Sequence, residues 1–456
     1  MSEVDQREEN PEALVVSWIE NNLGPVMRLE RQGRWRPAWY VDVAKGEETL
    51  SLYVRGDRGK GVKTQPQPLD FEYRVLKLFE EKGLKVPHVY GYIDELPAIV
   101  MERVPGVPDL KTLENEVARK LVTSQFVDQM ILMHKIDPEL MEKAGVPRPE
   151  GAENRALAYY RRVEPLYLST KARPEPIIEF IRRWIDRNSP ETPDAVYPIA
   201  VDAGQFIFDG DKLTAMLDFE FCALGDYHTD LATLRLRNRL EYVGELNEIY
   251  RQYGERSGFV VDPNRLHYHT VIKGVLPPMQ MAGNLANPIA NMDYYQYMVW
   301  NAVWLRIALE AIAEMRGWSP EVLATPVESA GSRSKPLIQA LIVGVNDEDG
   351  VDEIARYRLF RRARNLQYLS RLDRFQQDME RRYLDDVELL LGRKPENWLQ
   401  ADEWLEHFVA TASPESDEQL LRIFWRQLLG QCFVLADKSD PINYEMLTTP
   451  LEKLAL

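Results

Sequence analysis

The sequence has only two cysteines and six histidines in 456 residues. Cys222 and Cys432 are far apart and lie in apolar contexts, which argues against a disulfide framework or a zinc site and indicates buried thiols. His267 and His269, at positions i and i+2, lie on different sides of a helix and have no cysteine or carboxylate cluster beside them. The sequence therefore offers little for disulfide, thiolate or histidine-metal chemistry.

Long apolar runs and an excess of basic residues are also missing. No stretch approaches the roughly 20 uncharged apolar residues of a membrane span, and acids occupy the start of the chain where a signal peptide has a basic and then an apolar segment. We therefore expect a cytoplasmic protein with no membrane partner. The net charge of −16 disfavours a nucleic-acid partner, because such binding depends on a basic face.

The order of predicted elements is strands with one helix, a Pro105-Gly106 hinge, helices, a hairpin and more helices. At this length the chain predicts about three domain-sized units. We predict an N-terminal lobe over residues 1–104, with an antiparallel sheet and one helix. A mainly helical C-terminal lobe is expected over 105–336 and a helical appendix over 337–456. This is an α+β two-lobed layout.

The stretch from Asp202 to Glu220, DAGQFIFDGDKLTAMLDFE, predicts a β-hairpin. Two apolar runs flank Asp209-Gly210, a dipeptide that accepts positive φ and is a strong hairpin signal. Pairing centred on this dipeptide places Asp202 opposite Leu217 and next to Asp218. Two carboxylates therefore meet at the open end of the predicted hairpin.

The same end of the hairpin also carries the amide of Gln205. Because adjacent strands lie about 5 Å apart, this amide and the carboxylates of Asp202 and Asp218 could converge on one hydrated cation. Oxygen ligands of this kind suit Mg²⁺. A surface hairpin with a solvated acidic end is the alternative.

A second constellation joins a strand and a helix of the predicted N-terminal lobe. Glu72 lies on a helix predicted over about 69–82, on the same face as the apolar residues three, four and seven positions later. An unpaired buried carboxylate is costly. Arg55, at the end of the preceding strand, is the nearest basic candidate, so we predict an Arg55–Glu72 pair. A solvated Glu72 at the edge of the apolar stripe is the alternative.

Two features near the C-terminus each allow two interpretations. Residues 276–312 are rich in Met, Tyr and Trp, which is typical of core or of an apolar substrate wall. After a weakly patterned, linker-like stretch, a helix predicted over about 351–391 has one apolar face and one arginine-rich face. The arginines form either a solvated lattice of ion pairs or an anion pocket.

Taken in order, these elements resemble the aminoglycoside phosphotransferase family, which shares the protein-kinase-like fold. The resemblance covers about residues 27–318 and implies a bilobal protein-kinase-like fold, to which a C-terminal all-helical domain is added. Arg55 falls where the family usually has the phosphate-binding lysine, and Glu72 falls at its helix partner. Glu102-Arg-Val104 in IVMERVPG resembles the hinge whose backbone meets the adenine.

The hairpin carries the remaining family roles. LDFEF is similar to the metal-binding DWE element of the family, which assigns Asp218 to Mg²⁺ together with Gln205. Asp202 is the implied substrate-orienting base. The continuation LGDYHTDLA matches the structural part of the family pattern, so Asp226 and Asp230 are implied to be scaffold.

Three departures from the family pattern bear on activity. The catalytic loop has Ala200-Val201-Asp202 in place of His-Gly-Asp, and Gln205 follows after two residues where the family has four residues and then Asn. The loop therefore loses up to about 7 Å of contour length. Arg55 is bulkier than lysine and forked. Gly33 stands alone where a glycine-rich phosphate loop is expected, with Arg34, Trp35 and Arg36 after it.

The resemblance implies a small-molecule kinase that transfers the γ-phosphoryl group of ATP or GTP to a hydroxyl. The DAGQF element resembles that of catabolic members that act on hydroxyacyl thioesters or hydroxylated apolar molecules. The arginine-rich appendix would suit an anionic carrier such as CoA. A pseudokinase that binds nucleotide or a partner is the alternative, and an antibiotic kinase is a third possibility.

The apolar stripe of the long helix must pack on the C-terminal lobe, on the helix that follows Ser413, or on a second copy of the chain. We expect it to dock near residues 276–312 and to close one side of the acceptor pocket. A homodimer is the alternative.

Overall fold

A five-stranded antiparallel sheet forms the first lobe in the computed structural model. The model describes residues 10–33, 36–57, 67–151, 153–190, 195–288, 292–319, 321–322, 324–329, 331–332, 334–346 and 353–454. The strand order is β1-β2-β3-β5-β4. The elements of this lobe are α1 (Pro11–Asn22), β1 (Val26–Arg31), β2 (Ala38–Lys45), β3 (Glu48–Gly56), α2 (Leu69–Glu81), β4 (Val89–Ile93) and β5 (Ala98–Glu102).

Helix α2 packs on this sheet because its apolar residues recur on one face. Val75, Leu76 and Phe79 are buried, and Glu72 is buried on the same face, as the spacing predicts. The helix ends at Glu81, and Gly83 follows with a φ of 81°. Glycine adopts this left-handed conformation without the steric cost of a side chain, which accounts for the end of the helix here.

The hinge after β5 passes directly against the hairpin of the second lobe. Val107 exchanges two backbone hydrogen bonds with Phe208, at 3.0 and 3.1 Å. Gly106 has a φ of 121°, and a Cβ at this position would lie 2.2 Å from the carbonyl oxygen of Phe208. Only glycine fits this crossing without moving one of the two backbones.

We therefore expect Gly106→Ala to destabilise the protein by about 2–3 kcal/mol, from backbone strain and overpacking. Gly46→Ala is the matched control, because Gly46 also has positive φ but has no atom near its Cβ position. That change costs about 1 kcal/mol, from φ alone. Denaturant unfolding measures both, and equal losses would contradict the close hinge contact.

The second lobe is mainly helical and contains two short two-stranded sheets, β6-β9 and β7-β8. Its elements are α3 (Glu116–His134), α4 (Pro138–Lys143), α5 (Glu153–Ala156), α6 (Ala158–Thr170), α7 (Pro176–Arg187), β6 (Tyr197–Ile199), β7 (Phe206–Asp209), β8 (Lys212–Met216), β9 (Ala223–Gly225), α8 (His228–Leu240), α9 (Leu246–Ser257), α10 (Pro263–Ala286) and α11 (Tyr294–Arg316). The sheet lobe and the helical lobe together confirm the predicted α+β class.

The appendix is all-helical and contains more elements than the sequence predicts. It comprises α12 (Lys335–Asn346), α13 (Glu353–Leu391), α14 (Trp398–Thr411), α15 (Asp417–Leu435) and α16 (Pro441–Thr448). The weakly patterned stretch of about residues 320–352 was expected to be a linker or an insertion, and helix α12 within it contradicts only the linker interpretation for that part. Pro414 begins a single 3₁₀ turn, and the regular helix α15 starts at Asp417.

The appendix shares one hydrophobic core with the second lobe. Buried residues of α13 and α15, such as Val387 and Phe424, belong to the same cluster as Val303 of α11. The Tyr295 hydroxyl donates to the Leu435 carbonyl at 2.7 Å. Docking near residues 276–312 is therefore confirmed, because α15 and part of α13 pack on α11, while closure of the acceptor pocket stays a prediction.

Most aromatic and methionine side chains of residues 276–312 are core. Met279, Tyr295 and Trp304 are buried. This is the first of the two interpretations that the composition allowed.

Several arginines of α13 bind partners within the chain. Arg364 pairs with Asp293 at 2.7 Å and Arg374 with Glu328 at 2.8 Å, while Arg371 donates to carbonyls of α15. These pairs use the charge that an anion pocket would need, so the ion-pair interpretation fits this face. Among the described residues, no helix has the length and apolar character needed to cross a membrane.

Candidate active site

The amide of Gln205 joins the two carboxylates of the hairpin end. Its Nε2 lies 2.9 Å from Asp202 Oδ2 and 2.7 Å from Asp218 Oδ2. Asp202 is buried, and the Asp218 side chain is only partly exposed. The three residues that the sequence assigned to one cation therefore do lie together.

The predicted register of the hairpin was wrong. Phe206 pairs with Met216, and the amide of Leu217 donates to the carbonyl of Gln205. Leu217 therefore does not lie opposite Asp202, as the predicted register required. The turn is centred on Gly210-Asp211, and an irregularity between Ile207 and Phe208 shifts the pairing further. Asp202 lies beyond the ladder, so it reaches Asp218 through the side chain of Gln205 and not through strand pairing.

Two cations that sequence reasoning missed hold Asp202. Lys273 Nζ of α10 lies 3.1 Å from Asp202 Oδ1, and Arg237 of α8 donates to Oδ2. Burial raises the pKa of the Asp202 carboxyl, but the charges of Arg237 and Lys273 outweigh this effect and hold it below its ordinary value. Asp202 is therefore an anion at neutral pH and is fixed in one orientation.

Helices α10 and α11 approach each other closely next to Lys273. A Cβ at Gly274 would lie 2.9 Å from the backbone nitrogen of Ala308 and 3.0 Å from the carbonyl oxygen of Trp304. The ammonium of Lys273 lies 5.8 Å from the ring centroid of Trp304. Burial lowers the pKa of Lys273 although Asp202 opposes the effect.

Arg55 binds three carboxylates at once. Its Nε lies 3.2 Å from Glu72 Oε2, as the sequence predicts, and its Nη2 lies 2.8 Å from Asp218 and 3.0 Å from Glu220. Glu220 also accepts from Arg36 at 2.6 Å. Arg36 follows the Gly33 segment, whose Arg34 and Trp35 lie outside the described residues.

This network shifts the titration of its members. Burial raises the pKa of Glu72 to about 7; the charge of Arg55 opposes this effect, and the negative charges of Glu220 and Asp218 add to it. Burial also raises the pKa of Asp218, but Arg55 and Arg36 outweigh it and hold that carboxyl well below its ordinary range. The Asp218 carboxyl is therefore ionised at neutral pH.

Two residues of the site have positive φ although neither is glycine. Val201 has a φ of 66° and Asp218 a φ of 65°. A β-branched residue in this conformation is strained, and such strain concentrates at functional sites. Asp230 Oδ1 accepts from the Val201 amide at 2.8 Å, and the Thr233 hydroxyl donates to the Val201 carbonyl at 2.9 Å. Helix α8 therefore holds the backbone that aims Asp202.

Asp226 and Asp230, which the resemblance implied to be scaffold, contact backbone groups and side chains within the second lobe. Asp230 also accepts from the Ala200 amide at 2.8 Å and contacts His134 at 3.0 Å. Asp226 contacts the ring of His228 at 2.7 Å. Both carboxylates are fully buried, and both hold backbone or side chains in place.

The hinge segment leaves backbone groups free. Glu102 ends β5, and the Arg103 amide donates to the Ser51 carbonyl at 3.0 Å. Within the described part of the chain, no hydrogen bond reaches the backbone N–H or C=O of Val104. The fold therefore leaves the Val104 backbone unused within the described residues, whereas the Glu102 amide donates to the His88 carbonyl at 2.8 Å.

The donor set around Gln205 fits a hard divalent cation. The carboxylate oxygens of Asp202 and Asp218 are both within one hydrogen-bond length of the same amide nitrogen. Rotating the amide by half a turn presents its oxygen between them, and Mg²⁺ favours such carboxylate and carbonyl oxygens. Cations already neutralise both carboxylates, so the cation would compete with Arg55 for Asp218.

Three solved structures that are similar to this chain share 14–18% of its residues. A Ralstonia eutropha JMP134 protein provisionally named an aminoglycoside phosphotransferase is 15% identical, with 65% of this chain and 95% of that chain covered and a TM-score of 0.49. The GDP complex of aminoglycoside 2'-phosphotransferase-IIIa is 18% identical, with coverage of 67% and 100% and a TM-score of 0.46. Macrolide 2'-phosphotransferase from Brachybacterium faecium is 14% identical, with coverage of 64% and 97% and a TM-score of 0.45.

No curated protein matches the chain. The model of the phosphotransferase enzyme family, APH, matches residues 37–267. This match is just over half of the sequence and includes β2 to β5, the hinge, the β7–β8 hairpin and α8. The chain therefore belongs to the phosphotransferase enzyme family.

Proposed function

We propose that the protein is a small-molecule kinase that transfers the γ-phosphoryl group of ATP or GTP to a hydroxyl of an apolar or acyl-thioester-linked acceptor. The observation that carries the proposal is the Gln205 bridge between Asp202 and Asp218. A scaffold gains nothing from a buried and a half-buried carboxylate that face each other across one amide, because their repulsion must be offset by cations.

Each site residue has a role in this proposal. The backbone of Glu102 and Val104 receives the base of the nucleotide, and Arg55, oriented by Glu72, binds its phosphates. Asp202 accepts a hydrogen bond from the acceptor hydroxyl and orients its oxygen towards the γ-phosphorus. That oxygen forms the new P–O bond, the bond to the bridging oxygen breaks, the nucleoside diphosphate leaves, and the hydroxyl proton passes to Asp202. Such catalysis is mostly positioning and electrostatics.

Gln205 and Asp218 would hold Mg²⁺, which neutralises phosphate charge when it is bound. The protein supplies further positive charge of its own. Arg36, Arg55, Arg237 and Lys273 face Glu72, Asp202, Asp218 and Glu220, so the cluster is close to neutral before nucleotide arrives. The arginine in place of lysine is consistent with this arrangement, because its fork spans three carboxylates at once.

The surroundings of Asp202 support an apolar acceptor. The ring of Trp304 borders Lys273, which contacts Asp202. Phe221, beside the metal-side strand end, stacks edge-on with Tyr159 at 5.6 Å between ring centroids. Trp304 and Tyr159 are buried, so the aromatic surface that the apolar body of an acceptor could contact here is that of the half-buried Phe221.

The pseudokinase alternative has one specific observation in its favour. Both carboxylates are already bound by basic side chains, Asp202 by Arg237 and Lys273 and Asp218 by Arg55. A protein that binds nucleotide without transfer would tolerate such coverage. An assay of phosphoryl transfer distinguishes the kinase from the pseudokinase.

The test is transfer of ³²P from γ-labelled ATP and GTP to pooled hydroxylated apolar alcohols and 3-hydroxyacyl thioesters. We expect labelled product from at least one acceptor class with the unaltered chain. Nucleotide binding without transfer to any acceptor, or to water, would favour the pseudokinase.

Lys273 is a positioning residue in this account, because it acts through Asp202. We expect Lys273→Met, which preserves the apolar stem, to reduce turnover by about ten- to a hundredfold. Since the charge of Lys273 lowers the pKa of Asp202, its loss raises that pKa and moves the acid limb of the kcat profile to higher pH. The pH–rate profile measures this shift.

Lys120→Met is the control for this change, because Lys120 is exposed on α3. A lower rate with an unmoved acid limb would mean that Lys273 serves only the packing of α10 against α11.

A further inference from the structure

A second cavity lies between the appendix and the second lobe. It has a volume of about 600 Å³ and is walled by the start of α7 and by α11, α13, α14 and α15. Its apolar lining residues include Ile177, Leu285, Met298, Leu305, Leu372 and Leu435. A cavity of this size is large enough for a drug-sized molecule.

This cavity is separate from the phosphoryl-transfer site. None of the charged residues around Asp202 lines it. On α10 it is bordered by Leu285, which lies about 18 Å along the helix axis from Lys273 at 1.5 Å per residue. An acceptor hydroxyl must contact Asp202, so the cavity takes a molecule other than the reacting end of the acceptor.

The polar end of the cavity holds a carboxyl without a cation. Asp402 accepts a hydrogen bond from the Tyr383 hydroxyl, and among the described residues it has no ion pair within 4.0 Å. The arginines of the wall are matched instead: Arg173 binds Glu175 at 2.8 Å and Arg426 binds Asp386 at 2.8 Å. The wall therefore has an acid in excess.

A second acceptor lies at the same end. The Oε1 atom of Gln427 is buried and has no donor within hydrogen-bond distance in the described part of the chain. A buried acceptor without a donor is costly. Asp402 and Gln427 both line the cavity, and a donor-rich cation would contact Asp402 directly and the Gln427 oxygen once the amide turns towards the cavity.

The titration of Asp402 agrees with this geometry. Burial raises the pKa of Asp402 to about 7, although the Tyr383 hydroxyl and Arg173 oppose the effect and Glu175 and Glu406 add to it. A bound cation would favour the ionised form, because it supplies the missing opposite charge.

We propose that this cavity binds an organic ammonium compound, with the ammonium group donating to Asp402 and Gln427 and the apolar body lying along the wall of α11 and α13. An ammonium carries three donors and no acceptor, which matches two acceptors and an uncompensated carboxylate. An anionic ligand in this cavity would be repelled by the carboxylates of Asp402 and Glu175. The proposal is independent of phosphoryl transfer. Because Leu305 of the wall follows Trp304 in α11, a ligand here touches the helix that borders Lys273.

The probe is dansylcadaverine, a fluorescent primary amine with an apolar body, titrated into the full chain. Its N-acetylated form is the matched neutral probe. We expect saturable binding of the amine and at least about tenfold weaker binding of the acetylated form, since a hydrogen bond to a charged group is lost. Equal affinities, or no saturable binding of the amine, would overturn the proposal.

Two variants locate the binding site. Asp402→Asn should weaken the amine about tenfold or more and leave the acetylated probe unchanged. Glu403→Gln, at the exposed neighbour of Asp402, should change neither. An unchanged amine affinity in Asp402→Asn would place the probe elsewhere and overturn the proposal. If Asp402→Asn does not fold, the comparison of the two probes on the unaltered chain still decides.

Discussion

Asp202→Asn is expected to lower turnover by about two to four orders of magnitude, the usual worth of a positioned base. The change is nearly isosteric, so the contact with Gln205 can persist, but the amide cannot receive the hydroxyl proton. Nucleotide binding should survive or become tighter. The variant removes one negative charge from a cluster in which Arg237 and Lys273 then lack their carboxylate partner.

Steady-state turnover and nucleotide affinity, measured side by side, check this prediction. Asp211→Asn is the control, because it changes an exposed acid in the turn of the same hairpin. If both turnover and nucleotide affinity collapse in Asp202→Asn, the residue holds the metal or the fold and does not orient the acceptor.

Asp218→Ala is expected to abolish the stabilisation that Mg-nucleotide gives to the folded chain. For the unaltered chain that stabilisation is about 2.7 kcal/mol at a hundredfold excess over Kd, and it appears as a rise in Tm. The variant loses a cation ligand and frees one arm of Arg55. Alanine at a φ of 65° also destabilises the unliganded chain, by about 1 kcal/mol.

The relevant measurement is therefore the difference in Tm with and without nucleotide, in which the backbone cost cancels. Adding EDTA to the unaltered chain removes the cation without changing the protein and should reduce the shift in the same direction. A full nucleotide shift in Asp218→Ala would exclude Asp218 from the metal site.

Parts of the site could be predicted because they are encoded locally. Glu72 lies at a fixed helical interval from buried residues, so its need for a partner can be deduced, and Arg55 is the partner found. Asp202, Gln205 and Asp218 lie within one hairpin, so even an incorrect register left them near each other. The Pro105-Gly106 hinge is similarly marked by its own residues.

The cations on Asp202 could not be predicted from local pattern. Lys273 lies 71 residues and Arg237 lies 35 residues beyond Asp202, and their positions depend on how α8 and α10 pack. The available signal was a lone lysine in the buried part of α10, where a charge requires a partner. The Arg36–Glu220 pair spans 184 residues and depends on the contact between the two lobes.

The appendix shows the same limit. The apolar stripe of α13 predicts that another part of the protein packs against this helix. The second lobe and α15 are among the parts that do so. The cavity beside Asp402 is the space that remains where five helices do not pack tightly against one another. No sequence pattern encodes such a space.

Calorimetric titration of the unaltered chain with the non-hydrolysable nucleotides AMP-PNP and GMP-PNP, in the presence of Mg²⁺, tests the central claim most directly. The claim is that Arg55, Gln205 and Asp218 form a nucleotide site beside the free hinge backbone of Val104. We expect one molecule of at least one nucleotide to bind per chain, with affinity that falls when Mg²⁺ is withheld. Absence of binding by both nucleotides would contradict it.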